Sequence, residues 1–473
     1  MIVRSRSLPL TTDAPVPPVA ARRPTPRWQV ALACALLAGL YAAVSIQQYN
    51  RMEAYVYDLG FFEAIIHDYA QGRLPKLSWA GDAMAPLHFS PALALFAPLV
   101  IVWPSPVALL IAQAVLVAVG LAPLMRATSG WTAWVVALTY GLAPAFGALV
   151  GFDFHEVALA VPLLAFSMAA MLRGDHRAAV LWAMPLVLVK EDLGLTVAAL
   201  GAVVFLRGSR RWGTIAMLFG AVTFLVLLVW VLPVIQADAS FVDRYAPTGP
   251  GEALQTLSTS MDQKARTVLF LLLPTGLLAL RSPLLLVVLP TYGWRFVTDR
   301  ATYWYPWYQY DAVLVPIAVA AMIEGAALLG GRLRQIGLAL AVVATLYLLP
   351  QQAFSQAWDP DFWDTPSRTA AVDRVLDRIP DGSVVAASDT LGARIALRTE
   401  LNTVGDTVGL DGPPLPAAAF ADVEWIAFDS SVAPAPVPAW RGFARLIDSG
   451  EFAVVAESDG VFVARRVHPA TGE

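Results

Sequence analysis

Residues 131–172 read WTAWVVALTYGLAPAFGALVGFDFHEVALAVPLLAFSMAAML. Two apolar runs flank the short segment Phe152-Asp153-Phe154-His155-Glu156. A helix of a soluble domain is apolar on one face, whereas these runs are apolar all round, as a membrane span is. Crossing a bilayer core takes about 20 such residues. The pair therefore reads as two transmembrane helices joined by a turn that crowds three ionisable residues into almost no loop.

Runs of the same kind recur outward from this pair, from Trp28 to Pro350. The composition agrees, with 58% hydrophobic and 14% charged residues, against about 25% charged in an ordinary soluble domain. The runs predict an α-helical polytopic membrane protein of about eleven spans, near 28–47, 106–125, 131–150, 157–172, 178–189, 193–206, 213–235, 267–281, 283–297, 309–329 and 334–350. The apolar segment Pro91–Trp103 is too short to span and is flanked by prolines. It reads as a re-entrant or interfacial part of a long first external loop, 48–105.

Basic residues favour cytoplasmic loops. Arg126, Arg173, Arg177, Arg207, Arg210, Arg211, Arg281, Arg332 and Arg334 all fall on one side of this arrangement. The same rule places the N-terminal arginines, Arg4 to Arg27, in the cytoplasm. Residues 1–27 read as a disordered basic tail before a retained signal anchor. An odd span count then puts residues 351–473 outside the cytoplasm. That tail holds 18 of the 36 acidic residues and 9 of the 32 lysines and arginines. It reads as a small soluble α/β domain, with a helix at Thr369–Ile379 and strands at Ser383–Ala387, Trp425–Asp429, Phe452–Ala456 and Val461–Ala464. Its acidity argues against a nucleic-acid partner. Cys34 is the only cysteine, so there is no intrachain disulfide and no cysteine metal site.

Ionisable residues at the membrane are functional candidates by default. Asp58 and Glu63, with His67 and Asp68, open the long loop; a solvated interfacial helix is the plainer reading. His88, in His88-Phe89-Ser90-Pro91, caps the short helix or faces a ligand. Asp153, His155 and Glu156 suit a divalent-metal site, or make a tight wet turn. Lys190, Glu191 and Asp192 interrupt an apolar stretch; Lys190 is a phosphate ligand or an interfacial residue with a snorkelling side chain. Arg295, Arg300 and the cluster 303–308, Tyr305 included, suit a lipid-phosphate headgroup or sugar, or an aromatic belt. The predicted topology puts all five clusters on the external face.

These motifs together resemble a family of bacterial predicted membrane proteins, domain of unknown function 2079. The resemblance rests on Asp58–Phe61, His88–Pro91, Asp153–His155, Lys190–Asp192 and Ile379–Val384, and covers about residues 55–430. Glu63 departs from it, standing where the family has a glutamine. The family is in turn similar in layout to type C glycosyltransferases. That resemblance implies an acid on the first external loop, a second acid on the next external turn and a lysine near a lipid phosphate; Asp58, Asp153 and Lys190 match these places. The function it implies is transfer of a sugar from a polyprenyl-phosphate donor to a glycan, lipid or protein acceptor. Asp58 and Asp153 are then catalytic, and His88, His155, Glu156, Lys190, Glu191, Arg295 and Tyr305 bind substrate. Cofactors stay unspecified, a divalent metal on Asp153 and His155 being one option. A transporter or flippase for a lipid or small anion, and a non-catalytic membrane scaffold, are the alternatives.

Overall fold

A computed structural model describes residues 24–75, 88–235, 247, 249–403, 422–431 and 438–467. The tail 1–23 and part of the first loop, 76–87, lie outside the described residues. Each of the eleven apolar segments is helical. Six helical stretches are long and apolar enough to cross a membrane: Arg27–Asn50, Pro106–Arg126, Trp131–Gly151, Arg210–Val234, Ala301–Ala327 and Gly331–Gln351. Shorter apolar helices include Val157–Leu172, His176–Leu188, Leu193–Leu206 and Pro283–Val297.

The bundle is layered by burial. Helix α1 (Arg27–Asn50) leaves Trp28, Leu32 and Leu36 exposed, as a lipid-facing helix does. The helix Val157–Leu172 is buried along nearly its whole length, and so is Val315–Ala327. Small residues let these helices approach closely. At Gly201, a Cβ would lie 2.5 Å from the backbone nitrogen of Met217, so only glycine fits between those two helices. The arginine-bearing turns gather at the end where α1 begins. There Thr25 donates to the Thr128 carbonyl (2.8 Å) and Arg207 pairs with Glu324 (2.7 Å).

The opposite end carries the α/β domain. Its helix runs from Ser367 to Leu376 and its strands are β1 (Val384–Ala387), β2 (Glu400–Thr403), β3 (Trp425–Asp429), β4 (Phe452–Ser458) and β5 (Val461–Arg466). The sheet order is β2-β1-β3-β5-β4, with β2, β1 and β3 parallel and β5 antiparallel to β3. The β4–β5 hairpin turns on Asp459 (φ 48°) and Gly460 (φ 79°), the Asp-Gly pair a two-residue hairpin turn favours. Three elements were not expected from sequence: β2 and the helices Asp389–Ile395 and Pro438–Asp448.

The chain leaves β1 to opposite sides, β2 on one and β3 on the other. In open α/β sheets, ligands enter the crevice at such a switch point. Here the crevice meets the protein's own π-helical turn, Val56–Gly60. Asp389 Oδ1 accepts a hydrogen bond from the Val56 backbone N–H at 2.7 Å. The Val56 side chain, fully buried, joins the domain core beside Leu391, Ile395 and Leu401. A Cβ on Gly392 would lie 2.2 Å from Val56 Cγ2, so glycine is needed for this seat. Thr369 also donates to the Asn50 carbonyl (2.7 Å), and Arg394 to that of Tyr49 (2.9 Å). The domain is thus built onto the first loop, and that loop carries Asp58.

Candidate functional site

The site forms at the domain end of the bundle, away from the arginine-bearing turns. Its frame is Gln113, a residue without charge and so outside the ionisable clusters of the sequence. Gln113 sits alone among apolar residues in the helix Pro106–Arg126. Its amide clasps the polar turn with both arms: Nε2 donates to the Asp153 carbonyl, and Oε1 accepts from the His155 N–H at 2.9 Å. A lone glutamine in an otherwise apolar run was the available signal. The clasp holds Asp153 at φ 59°, a left-handed conformation that non-glycine residues seldom adopt and that marks an imposed geometry.

Asp153 is almost fully buried. Its Oδ2 accepts from the Tyr55 N–H at 2.9 Å. Its Oδ1 has no hydrogen-bond partner among the described residues. Burial and, after it, the neighbouring Asp58 push the Asp153 carboxyl well above the ordinary aspartate range. Asp58 is more open, with a fifth of its side chain exposed, and lies 3.2 Å from His155 Nε2. The two nearby acids therefore differ in their access to water. His155 also meets Gln309 Nε2 at 2.8 Å, with roles set by the tautomer.

A second group lies alongside. Lys190 Nζ is 3.1 Å from Glu156 Oε1. Burial works against the ammonium, but Glu156, Asp192 and Glu191 outweigh it and hold Lys190 well above the usual lysine value. For Glu156, burial works upward and Lys190 with the two neighbouring histidine sites reverses it, leaving the carboxyl lowered. Glu191 spans back to the first loop, with Oε1 2.7 Å from His88 Nδ1 and Oε2 accepting from the Phe89 N–H at 3.1 Å. Asp192 Oδ2 accepts from Trp294 Nε1 at 3.1 Å.

Arg295 is placed differently from Lys190. Its guanidinium is buried, paired with Asp311, and donates from Nε and Nη2 to the Tyr303 carbonyl at 3.1 and 2.8 Å. Tyr292 donates to the other Asp311 oxygen at 3.1 Å. Tyr305 lies half-buried in the loop that follows. His155, Glu156, Lys190, Asp192, Arg295 and Gln309 line one small cavity. Among the described residues, no three His, Cys, Asp or Glu side chains converge as a metal-binding group; Asp153 Oδ1 and His155 Nδ1 are unpartnered there but gather no third ligand.

Glu63 is fully buried and neither carboxyl oxygen has a hydrogen-bond partner among the described residues. Burial, then Asp153, push it well above its ordinary value of 4.5. An acid raised by folding stabilises the fold below its unfolded pKa and loses that contribution as pH rises through its folded value. Glu63→Gln keeps the neutral shape, so its melting temperature is expected to match the wild type in acid and exceed it increasingly as the pH rises. Equal melting temperatures across the pH range would mean that Glu63 is not held neutral.

The fold has the layout of the type C glycosyltransferases, a helical bundle with a small α/β domain at one end. The structure is similar to that of ArnT from Cupriavidus metallidurans bound to undecaprenyl phosphate, with a TM-score of 0.53 at 15% identity, covering 94% of this chain and 99% of that one. The same protein in the apo state matches with a TM-score of 0.50 at 13% identity, covering 92% and 97%. No curated protein sequence matches the chain. The chain belongs to the family of predicted membrane proteins DUF2079, whose profile matches residues 48–463.

Proposed function

We propose that this protein is a membrane glycosyltransferase that moves a sugar from a polyprenyl-phosphate donor to an acceptor outside the cytoplasm. The observation that carries the reading is the pairing of two chemistries at one end of the bundle. Asp58 is a partly exposed carboxylate braced by His155, and Lys190 is a cation in the adjoining cavity. The likeness to ArnT supplies the fold alone; undecaprenyl phosphate, bound there, is the donor carrier proposed here.

In this mechanism Asp58 accepts the proton of the acceptor hydroxyl as its oxygen attacks the anomeric carbon. The bond from that carbon to the phosphate oxygen breaks, and the lipid phosphate leaves with the electron pair. Direct displacement inverts the sugar carbon. Lys190 steadies the charge on the departing phosphate, which takes over part of the role Glu156 fills in the free protein. Gln113 holds the turn and His155 in place, and Asp153 ties that turn to the first loop through the Tyr55 N–H. Arg295, already engaged by Asp311 and Tyr303, braces the aromatic wall. The domain end faces the outside, where lipid-linked sugars are the available donors. Deleting the gene in a bacterial host is expected to make a polyprenyl-phosphate sugar accumulate, measured by mass spectrometry of extracted lipids. An unchanged lipid-linked sugar pool would count against the transferase.

A further inference from the structure

A second cavity opens beside the charged one, and its lining is of another kind. It encloses about 420 Å³ and no ionisable residue lines it. The polar side chains lining it are amides and a hydroxyl, from Gln48, Gln351, Gln352, Gln356 and Ser355, and the aromatic ones include Phe152 and Trp307. Gln48 and Gln352 are both more than nine-tenths buried, at 5% and 7% exposure. Each has an Oε1 with no hydrogen-bond partner among the described residues. A buried amide oxygen left unpaired is costly, and here two belong to residues that line the same space. Gly147 makes that arrangement possible, since a Cβ there would come within 2.8 Å of Gln352 Oε1.

The aromatic wall is held firmly. Arg266 lies 4.4 Å over the Trp307 ring, and Phe270 meets the same indole edge-on at 5.3 Å. Phe152 packs against Tyr308 at 4.9 Å. The volume is in the range of small-molecule sites, roughly 300–1,000 Å³. Neutral amides that both donate and accept match hydroxyl groups, and aromatic faces match the C–H faces of a sugar ring. No cation lines the cavity; Arg266, which touches its wall, is engaged with Trp307 and Gln351. The two cavities share their dividing segments: Phe152 and Trp307 line this one, His155 and Gln309 the charged one.

We propose that this cavity is a recognition subsite for the neutral, hydroxyl-rich part of the acceptor, a glycan, held beside the charged site. Only the word acceptor rests on the transferase reading; the binding of neutral sugar does not. The test uses the full-length protein in lipid nanodiscs free of sugar detergents. Methyl α-glycosides of glucose, mannose and galactose are the probes, methyl α-D-glucuronide is the charged control, and saturation-transfer NMR is the readout. At least one neutral glycoside is expected to bind at millimolar concentration and the glucuronide to bind more weakly. Gln48→Leu and Trp307→Ala should each weaken the neutral probe by about tenfold, the effect of losing one useful polar or packing contact. Melting temperatures measured on the same variants report that they are folded and should stay close to the wild-type value. The inference is overturned if no neutral glycoside binds, if the glucuronide binds as well, or if binding survives both substitutions in folded protein. Sugar binding without transfer would sink the enzyme reading alone; transfer without sugar binding would sink the subsite alone.

Discussion

Asp58→Asn is expected to lower sugar transfer by about 10²–10⁴-fold, the usual contribution of a general base, while undecaprenyl phosphate binding stays within twofold. Asparagine keeps the size of the side chain and an oxygen that faces His155, but it cannot take a proton. The loss should therefore appear in kcat and not in donor affinity. The substitution also removes the second-largest influence that raises the Asp153 carboxyl. Residual activity is then expected to disappear in Asp58→Asn combined with Asp153→Asn. The measurement is turnover and lipid binding on purified protein in nanodiscs. Full activity in Asp58→Asn would remove it as the base.

Lys190→Met is expected to weaken undecaprenyl phosphate binding by about 10–100-fold, the worth of a hydrogen bond to a charged group. Turnover should fall as well, since the phosphate is charged in the ground state and gains charge as it leaves. The same substitution strands Glu156, whose partner lies 3.1 Å away in a buried setting. Breaking a buried pair from one side destabilises by about 3–5 kcal/mol. A lower melting temperature is thus expected in Lys190→Met and a recovered one in Lys190→Met with Glu156→Gln. Weak phosphate binding that persists in the stable double variant would assign Lys190 to the ligand. Wild-type affinity in the double variant would make the lysine a structural partner of Glu156.

The sequence carries the bundle well because lipid imposes a simple rule on composition. All eleven apolar segments are helical, and the helix Ser367–Leu376 and four of the strands lie where period and propensity put them. β2 was missed because Glu400–Thr403 is short and polar for a strand, and its pairing to β1 is a tertiary matter. Clusters of ionisable residues in apolar surroundings pointed to Asp58, Asp153, His155, Glu156 and Lys190, and the fold brings these to one end. Which groups touch was not legible. Lys190-Glu191-Asp192 looks like a local charge cluster, yet Lys190 pairs with Glu156, Glu191 with His88 and Asp192 with Trp294. Arg295 looked available as a cation, and only the partner Asp311, sixteen residues on, shows that its charge is engaged. Gln113 and Gln309 carry no charge and so gave no alarm, although they fix the turn and its histidine.

The seat of Val56 on Asp389 joins residues 333 positions apart in the chain. Synthesis runs from the N-terminus, at about 5–20 residues per second. On that clock the loop bearing Asp58 is made some tens of seconds before its anchor exists. During that interval the helices can enter the bilayer and pack, but the π-helical turn has no Asp389 to accept its first N–H and no core to receive Val56. Loop closure over such a span is also a late event in folding, because the chain entropy is lost before the contact forms. The loop that bears the acid of the proposed chemistry therefore gains this anchor only once residue 389 has been made, so a protein cut short before that point would be inserted without a finished site.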